Sequence, residues 1–92
     1  MFDMMNMMGK IKDAQEKMKK IKEDLDKIEL ISESGAGLVS VKINGKKEIL
    51  SIKIDESIIN EKEMLQDLVV AATNKALKEI DIKIKEHMKE KT

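Results

Sequence analysis

The 92-residue chain has no cysteine, no proline, no tryptophan, no tyrosine and no arginine, and a single aromatic residue, Phe2. Each absence removes a class of explanation. Without cysteine there are no disulfides, and the one histidine, His87, leaves the common zinc sites short of ligands. Without interleaved aromatics there is no stacking platform for unpaired bases. Without arginine there is no bidentate fork to read guanine edges. No run approaches the roughly 18 apolar residues of a membrane span. The apolar start, Met1 to Met8, lacks a basic leading region and a small-residue cleavage site, so no signal peptide is expected. The chain reads as soluble and cytoplasmic. A chain this short buries only about 60 to 65% of its unfolded surface, and with no disulfide or metal to help, a second subunit is the expected source of stability.

Charge is balanced overall, with 18 lysines and 18 acids, but unevenly spread. Residues 10–22 hold six lysines and two acids, residues 75–92 six lysines and four acids, and residues 29–74 five lysines and eight acids. Both ends are therefore basic around an acidic middle. With a Debye length of about 8 Å at physiological salt, such patches outweigh the distant sum.

What is present is periodicity. From about residue 3 to 29 a heptad runs with Met4, Ile11, Met18 and Leu25 at one apolar position and Met7, Ala14, Ile21 and Ile28 at the other. This is the seam of a helix that pairs with another helix. Asp3 is placed to cap it, and Gly9 costs about 1 kcal/mol relative to alanine inside it. The methionines of the start could instead form an adaptable partner or membrane-interface surface, but Met4 and Met7 continue the heptad, which is the plainer reading.

The period then drops to two. Val39, Val41 and Ile43 alternate with Ser40 and Lys42, and Leu50, Ile52 and Ile54 alternate with Ser51 and Lys53. Asn44-Gly45 between them is a hairpin signal, since both residues tolerate the positive φ of a type I′ turn. A two-residue turn would set Val39 opposite Leu50; a loop from Asn44 to Lys47 keeps the same facing, leaving the register open. Leu30 to Ser34, turned by Gly35-Ala36-Gly37, supplies a further strand. Asn60 with Glu63 then forms a capping box, with Ile59 and Met64 as its hydrophobic staple. Leu65, Leu68, Ala72, Ala76, Ile80 and Ile84 run along one side of the helix that follows, and Ile82 lies off that stripe. The expected architecture is α+β, a single αβββα domain: helix about 3–29, antiparallel strands about 30–34, 38–43 and 48–54, helix about 61–90.

Catalysis is not expected. Gly35-Ala36-Gly37 has Ser40 where the third glycine of a dinucleotide fingerprint belongs, lacks a following Lys-Ser pair, and leads into a strand rather than a helix. Gly35 and Gly37 are read as turn residues, as are Asn44 and Gly45. His87 is read as an exposed helix-end residue, and the adjacent acids Asp55 and Glu56 as part of a turn. No cofactor, metal or small-molecule substrate is implied. The lysines lie off the apolar seams. Lys10, Lys12, Lys17, Lys19, Lys20 and Lys22 on the first helix, with Lys78, Lys85 and Lys89 on the second, are either a solvated face or a surface that tracks phosphates. Lysine is a point charge, so such contacts would position duplex DNA rather than read it.

The segment Glu33-Ser34-Gly35-Ala36-Gly37-Leu38-Val39, then Val41 and Asn44-Gly45, resembles the YbaB/EbfC family of nucleoid-associated proteins. The similarity continues through Ile54-Asp55, the Met64-Leu65, Asp67-Leu68-Val69 run, Ala71-Ala72 and Asn74. The resemblance implies an intertwined homodimer with helices projecting like tweezers. It also implies binding to double-stranded DNA, association with the bacterial nucleoid and an influence on gene expression. It supplies no short catalytic or base-reading motif. The other reading of the same fold is a protein-interaction or scaffolding module using the heptad helix and the Met-rich start.

Overall fold

The heptad and the alternating runs become the elements they predict, in the order helix, three strands, helix. The computed structural model describes residues 4–91, and the side chains of residues 9–89. Helix α1 spans Met4–Lys27, strands β1, β2 and β3 span Glu29–Ser34, Val39–Asn44 and Ile49–Ile54, and helix α2 spans Lys62–Lys91 after a 3-10 turn at Glu56–Ile58. The sheet is an antiparallel meander in the order β1-β2-β3. The expected cap Asp3 and the side chains of Met4 and Met7 lie outside the described residues.

The core forms where the periodicities of β2 and α2 meet. Val39, Val41 and Ile43 are fully buried against Ala72, Ala76 and Ile80 of α2. The two alanines bring the helix backbone close to the strands, and Leu65, Leu68, Val69 and Ile84 close the edges. Helix α2 lies chiefly over β1 and β2. It is also tied to β1 by polar contacts: Ser32 Oγ donates to Glu79 Oε2 at 2.8 Å, Ser34 Oγ to the Leu68 carbonyl at 2.6 Å, and Lys83 Nζ to the Glu29 carbonyl at 2.9 Å. Buried Ser32 thus has its hydrogen bond, as burial of a hydroxyl requires.

The first turn takes the positive φ expected of its glycines, with Gly35 at 60° and Gly37 at 92°, and the second does not follow its expectation. Type I′ geometry needs positive φ at both central residues. It occurs at Ala36 (φ 56°) and Gly37 (φ 92°), where Leu38 N–H donates to the Gly35 carbonyl at 3.3 Å. Asn44 and Gly45 do not take positive φ; Lys47 does, at 64°. The physical reason is the Asn44 side chain, whose Oδ1 accepts from both Lys46 and Glu48 N–H at 3.0 Å. This closes a wider loop at whose base Asn44 N–H donates to the Glu48 carbonyl at 3.1 Å. The register follows: Val39 faces Ile54 and Val41 faces Ile52, with a bulge that sets Ile43 opposite Ile49. Val39 is therefore not opposite Leu50.

Gly45 serves a different purpose. Its N–H donates to the carbonyls of Leu25 (3.1 Å) and Ile28 (2.9 Å), satisfying groups that the end of α1 leaves open. A Cβ there would stand 2.3 Å from the Leu25 oxygen, so only glycine permits this approach. The hairpin tip thereby grips the last turn of α1, helped by the Lys46–Asp26 pair at 2.9 Å.

The start of α2 also departs from expectation. The helix opens at Lys62, where the Glu61 carbonyl accepts from Leu65 N–H at 2.8 Å, instead of being capped by Asn60. The preceding 3-10 turn uses the intervening residues, with Glu61 N–H donating to the Ile58 carbonyl at 3.0 Å. Ile59 and Met64 remain exposed, so the staple does not close. The side-chain cap sits earlier, at Asp55, which accepts from Ser57 N–H at 3.0 Å and from the Ser57 hydroxyl.

Candidate nucleic-acid interface

Among the described residues, α1 is partly buried only in its last turns. Ile21, Leu25 and Ile28 are half-buried, whereas every residue from Gly9 to Lys20 is exposed. The molecule measures 71 × 20 × 17 Å, with a radius of gyration of 19.5 Å against about 12 Å for a compact chain of this length. Helix α1 is thus a projecting arm. Its direction is set at the Gly45 grip.

The six lysines expected on this arm, Lys10, Lys12, Lys17, Lys19, Lys20 and Lys22, are all exposed, and none has an ion-pair partner among the described residues. They do not form one stripe. At about 3.6 residues per turn, Lys10 and Lys17 flank the apolar seam on one side and Lys19 and Lys22 on the other, while Lys12 and Lys20 lie farther round the helix. The seam itself is a shallow apolar groove lined by Ile11, Ala14, Gln15, Met18, Lys19 and Lys22.

Several lysines of the body are engaged. Lys42 pairs with Glu29 at 3.2 Å, Lys47 with Asp81 at 2.8 Å, and Lys75 with Glu79 at 3.9 Å. The hydrogen bond to Asp26, with its charge, raises the Lys46 ammonium above its usual value. The Lys47 hydrogen bond, with the charges of Lys47 and Lys85, holds the Asp81 carboxyl below the usual carboxylate range. Asp55 is lowered in the same sense by its bonds from Ser57. Sequence spacing reveals Lys75–Glu79, four residues apart on one helix, but not the pairs of Lys42, Lys46 and Lys47, which join different elements of the fold.

On α2, Lys78, Lys85 and Lys89 are exposed. Lys85 contributes to the field at Asp81, and Lys89 has an interaction of its own. They lie on a separate helix from the six lysines of the arm, so the nine positions do not form a single patch. His87, expected to be exposed, is half-buried beside Ile28, Lys83 and Glu86 where the end of α1 meets α2. Among the described residues no cluster of His, Cys, Asp and Glu is arranged to hold a metal ion, and no helix is long and apolar enough to cross a membrane.

The whole chain, residues 1–92, matches the model of the YbaB/EbfC DNA-binding family. A protein of Francisella philomiragia named a nucleoid-associated protein is 46% identical over 81 residues, covering 87% of this chain and 73% of that one. A protein of the same name from Francisella tularensis subsp. novicida is 44% identical over 81 residues, covering 87% and 72%. The fold is similar to the crystal structure of an uncharacterized protein from Helicobacter pylori, with a TM-score of 0.81, 26% identity, and coverage of 96% of this chain and 95% of that one.

Proposed function

Because this chain belongs to the YbaB/EbfC DNA-binding family, a family of nucleoid-associated proteins, we propose that it binds double-stranded DNA as a homodimer through lysine–phosphate contacts. The observation that carries this reading is the contrast between the two sets of lysines. Lys42, Lys46, Lys47 and Lys75 of the body are paired with acids and Lys83 bonds a carbonyl, while the six of the α1 arm stand exposed without ion pairs among the described residues. Unpaired cations on a projecting arm are free to displace counterions from a phosphate backbone, the term that dominates non-specific affinity. The ammonium groups position the duplex and supply no base code. The reading places the protein at the bacterial nucleoid in the cytoplasm, where it would contribute to chromosome organisation and gene expression.

Anisotropy titration on a duplex at two salt concentrations tests it. The log–log slope should be about −0.9 per phosphate contacted. Replacing Lys12, Lys19 and Lys20 together by Gln should weaken binding on every sequence alike and flatten that slope. No binding at low salt would reject DNA as the partner; unchanged affinity in the triple variant would reject the arm.

The exposed seam of α1 supports the second reading, a protein-interaction module. A stoichiometric protein partner that survives nuclease treatment and binds through Ile11 and Met18 would favour it over DNA.

A further inference from the structure

Helix α2 has a second face, turned away from the sheet. Its inner face, Ala72, Ala76 and Ile80, is fully buried. At about 3.6 residues per turn, Met64, Asp67, Ala71, Lys78, Ile82 and Lys85 lie together on the opposite side, and all are exposed. Two large apolar side chains are bare there, Met64 at 45% and Ile82 at 58% exposure. Neither contributes to the core of its own chain.

Charge divides this outward face into halves. Glu63 and Asp67 stand beside Met64, and Lys78 and Lys85 beside Ile82. None of these four has an ion-pair partner among the described residues, although Lys85 adds to the field at Asp81. Between the halves lie Ala71 and Asn74, which carry no charge, and Lys75, which is already paired with Glu79. Met64 and Ile82 are 18 positions apart, about 27 Å along the helix.

A face patterned in this way is complementary to itself turned end over end. When two α2 helices run antiparallel and cross near Thr73, Met64 of each meets Ile82 of the other. Asp67 then lies level with Lys78, and Glu63 within about one turn of Lys85. Both pairs fall on the same flank of the contact, which is the flank that antiparallel helices bring together. Every contact occurs twice, as an isologous interface requires. A parallel arrangement would instead set acid against acid and lysine against lysine, so charge rejects it. Ala71 beside the crossing point lets the two backbones approach closely.

We propose that the outward face of α2 is the seat of a second copy's α2, in an antiparallel pairing matched by charge. The contact uses neither the α1 arm nor β3. It is therefore an additional interface and not the one that makes the homodimer proposed above. A unit of two chains carries two such faces, so the contact links units in a row. Taken with the DNA reading above, it gives cooperative occupancy of neighbouring sites on a duplex.

Charge exchange tests the pairing. Glu63→Lys with Asp67→Lys makes the face wholly basic, and Lys78→Glu with Lys85→Glu makes it wholly acidic. Sedimentation velocity over a hundredfold concentration range should show assemblies larger than two chains for the unaltered protein. Each variant, once circular dichroism has shown it folded, should associate roughly tenfold more weakly at low salt, with a smaller difference at high salt. An equimolar mixture of the two should recover the assembly, because the basic face of one then meets the acidic face of the other. Ile82→Asn leaves every charge in place and serves if a charge variant does not fold. It should weaken assembly and lower cooperativity on a long duplex, with affinity for a short duplex unchanged. Assembly that is the same in both charge variants as in the unaltered protein would overturn the pairing, as would a mixture no better than either variant alone. Variants that settle at two chains keep the homodimer reading; variants that settle at single chains of 10.5 kDa remove it and leave the α2 contact standing.

Discussion

The two helices carry similar apolar periodicity and meet opposite fates. In α2 the stripe of Ala72, Ala76 and Ile80 is fully buried, while in α1 the equivalent Ile11 and Met18 are more than half exposed. What separates them is chain geometry: α2 returns over β1 and β2, whereas α1 leaves the sheet at a point fixed by the Gly45 grip. An amphipathic helix therefore announces that it will be covered, without saying by what.

The largest effect should come from the joint between the two regions. Gly45→Ala places a methyl group against the Leu25 carbonyl and should cost about 3 kcal/mol, releasing the arm. Denaturant titration measures the loss, and proteolysis near residue 28 reports the release.

Next is a direct test of the contrast. Ile80→Ala should destabilise the protein by about 3 kcal/mol at any concentration, since it empties a packed site. Ile11→Ala should do little to an isolated chain and act through the dissociation constant of the dimer. Thermal denaturation across a hundredfold range of protein concentration separates the two. Equal, concentration-independent losses would mean that the arm is packed within its own chain.

A smaller gain is expected at Gly9, which has open space around its Cα. Gly9→Ala should stabilise the arm by about 0.5 to 1 kcal/mol and raise helical ellipticity without touching the core.

The smallest effect concerns pH. The lowered Asp81 carboxyl contributes stability that is present above its ordinary value of 3.8 and lost as pH falls through the depressed one. The raised Lys46 ammonium contributes below 10.5, and its contribution disappears as pH rises through the elevated value. Between about pH 5 and 9 neither group should bend the stability curve. Asp81→Asn should flatten the acid limb slightly, less so in high salt because the pair is exposed. An unchanged acid limb would show that the Lys47–Asp81 contact contributes nothing in solution.

Much of this molecule is written locally. The heptad of α1, the alternation of β2 and β3, and the stripe of α2 each reflect a period that one face of a helix or strand must satisfy. They determine the αβββα order and, with the Glu33 to Val39 segment, the family. The candidate lysines were legible as well, because no tertiary information is needed to see six cations in thirteen residues. The hairpin register was not. It depends on the Asn44 side chain closing a wider loop and on a glycine kept for its closeness to α1 rather than for its φ. Nor could spacing show that Lys42, Lys46 and Lys47 are paired while the lysines of the arm are not, since Lys47 and Asp81 meet only after the 33 positions between them have folded. The sequence alone determined which surfaces are apolar and which are charged, through side-chain periodicity. The tertiary structure decided which of them the chain covers itself and which it leaves bare, because that depends on where α1 and α2 are anchored to one small sheet.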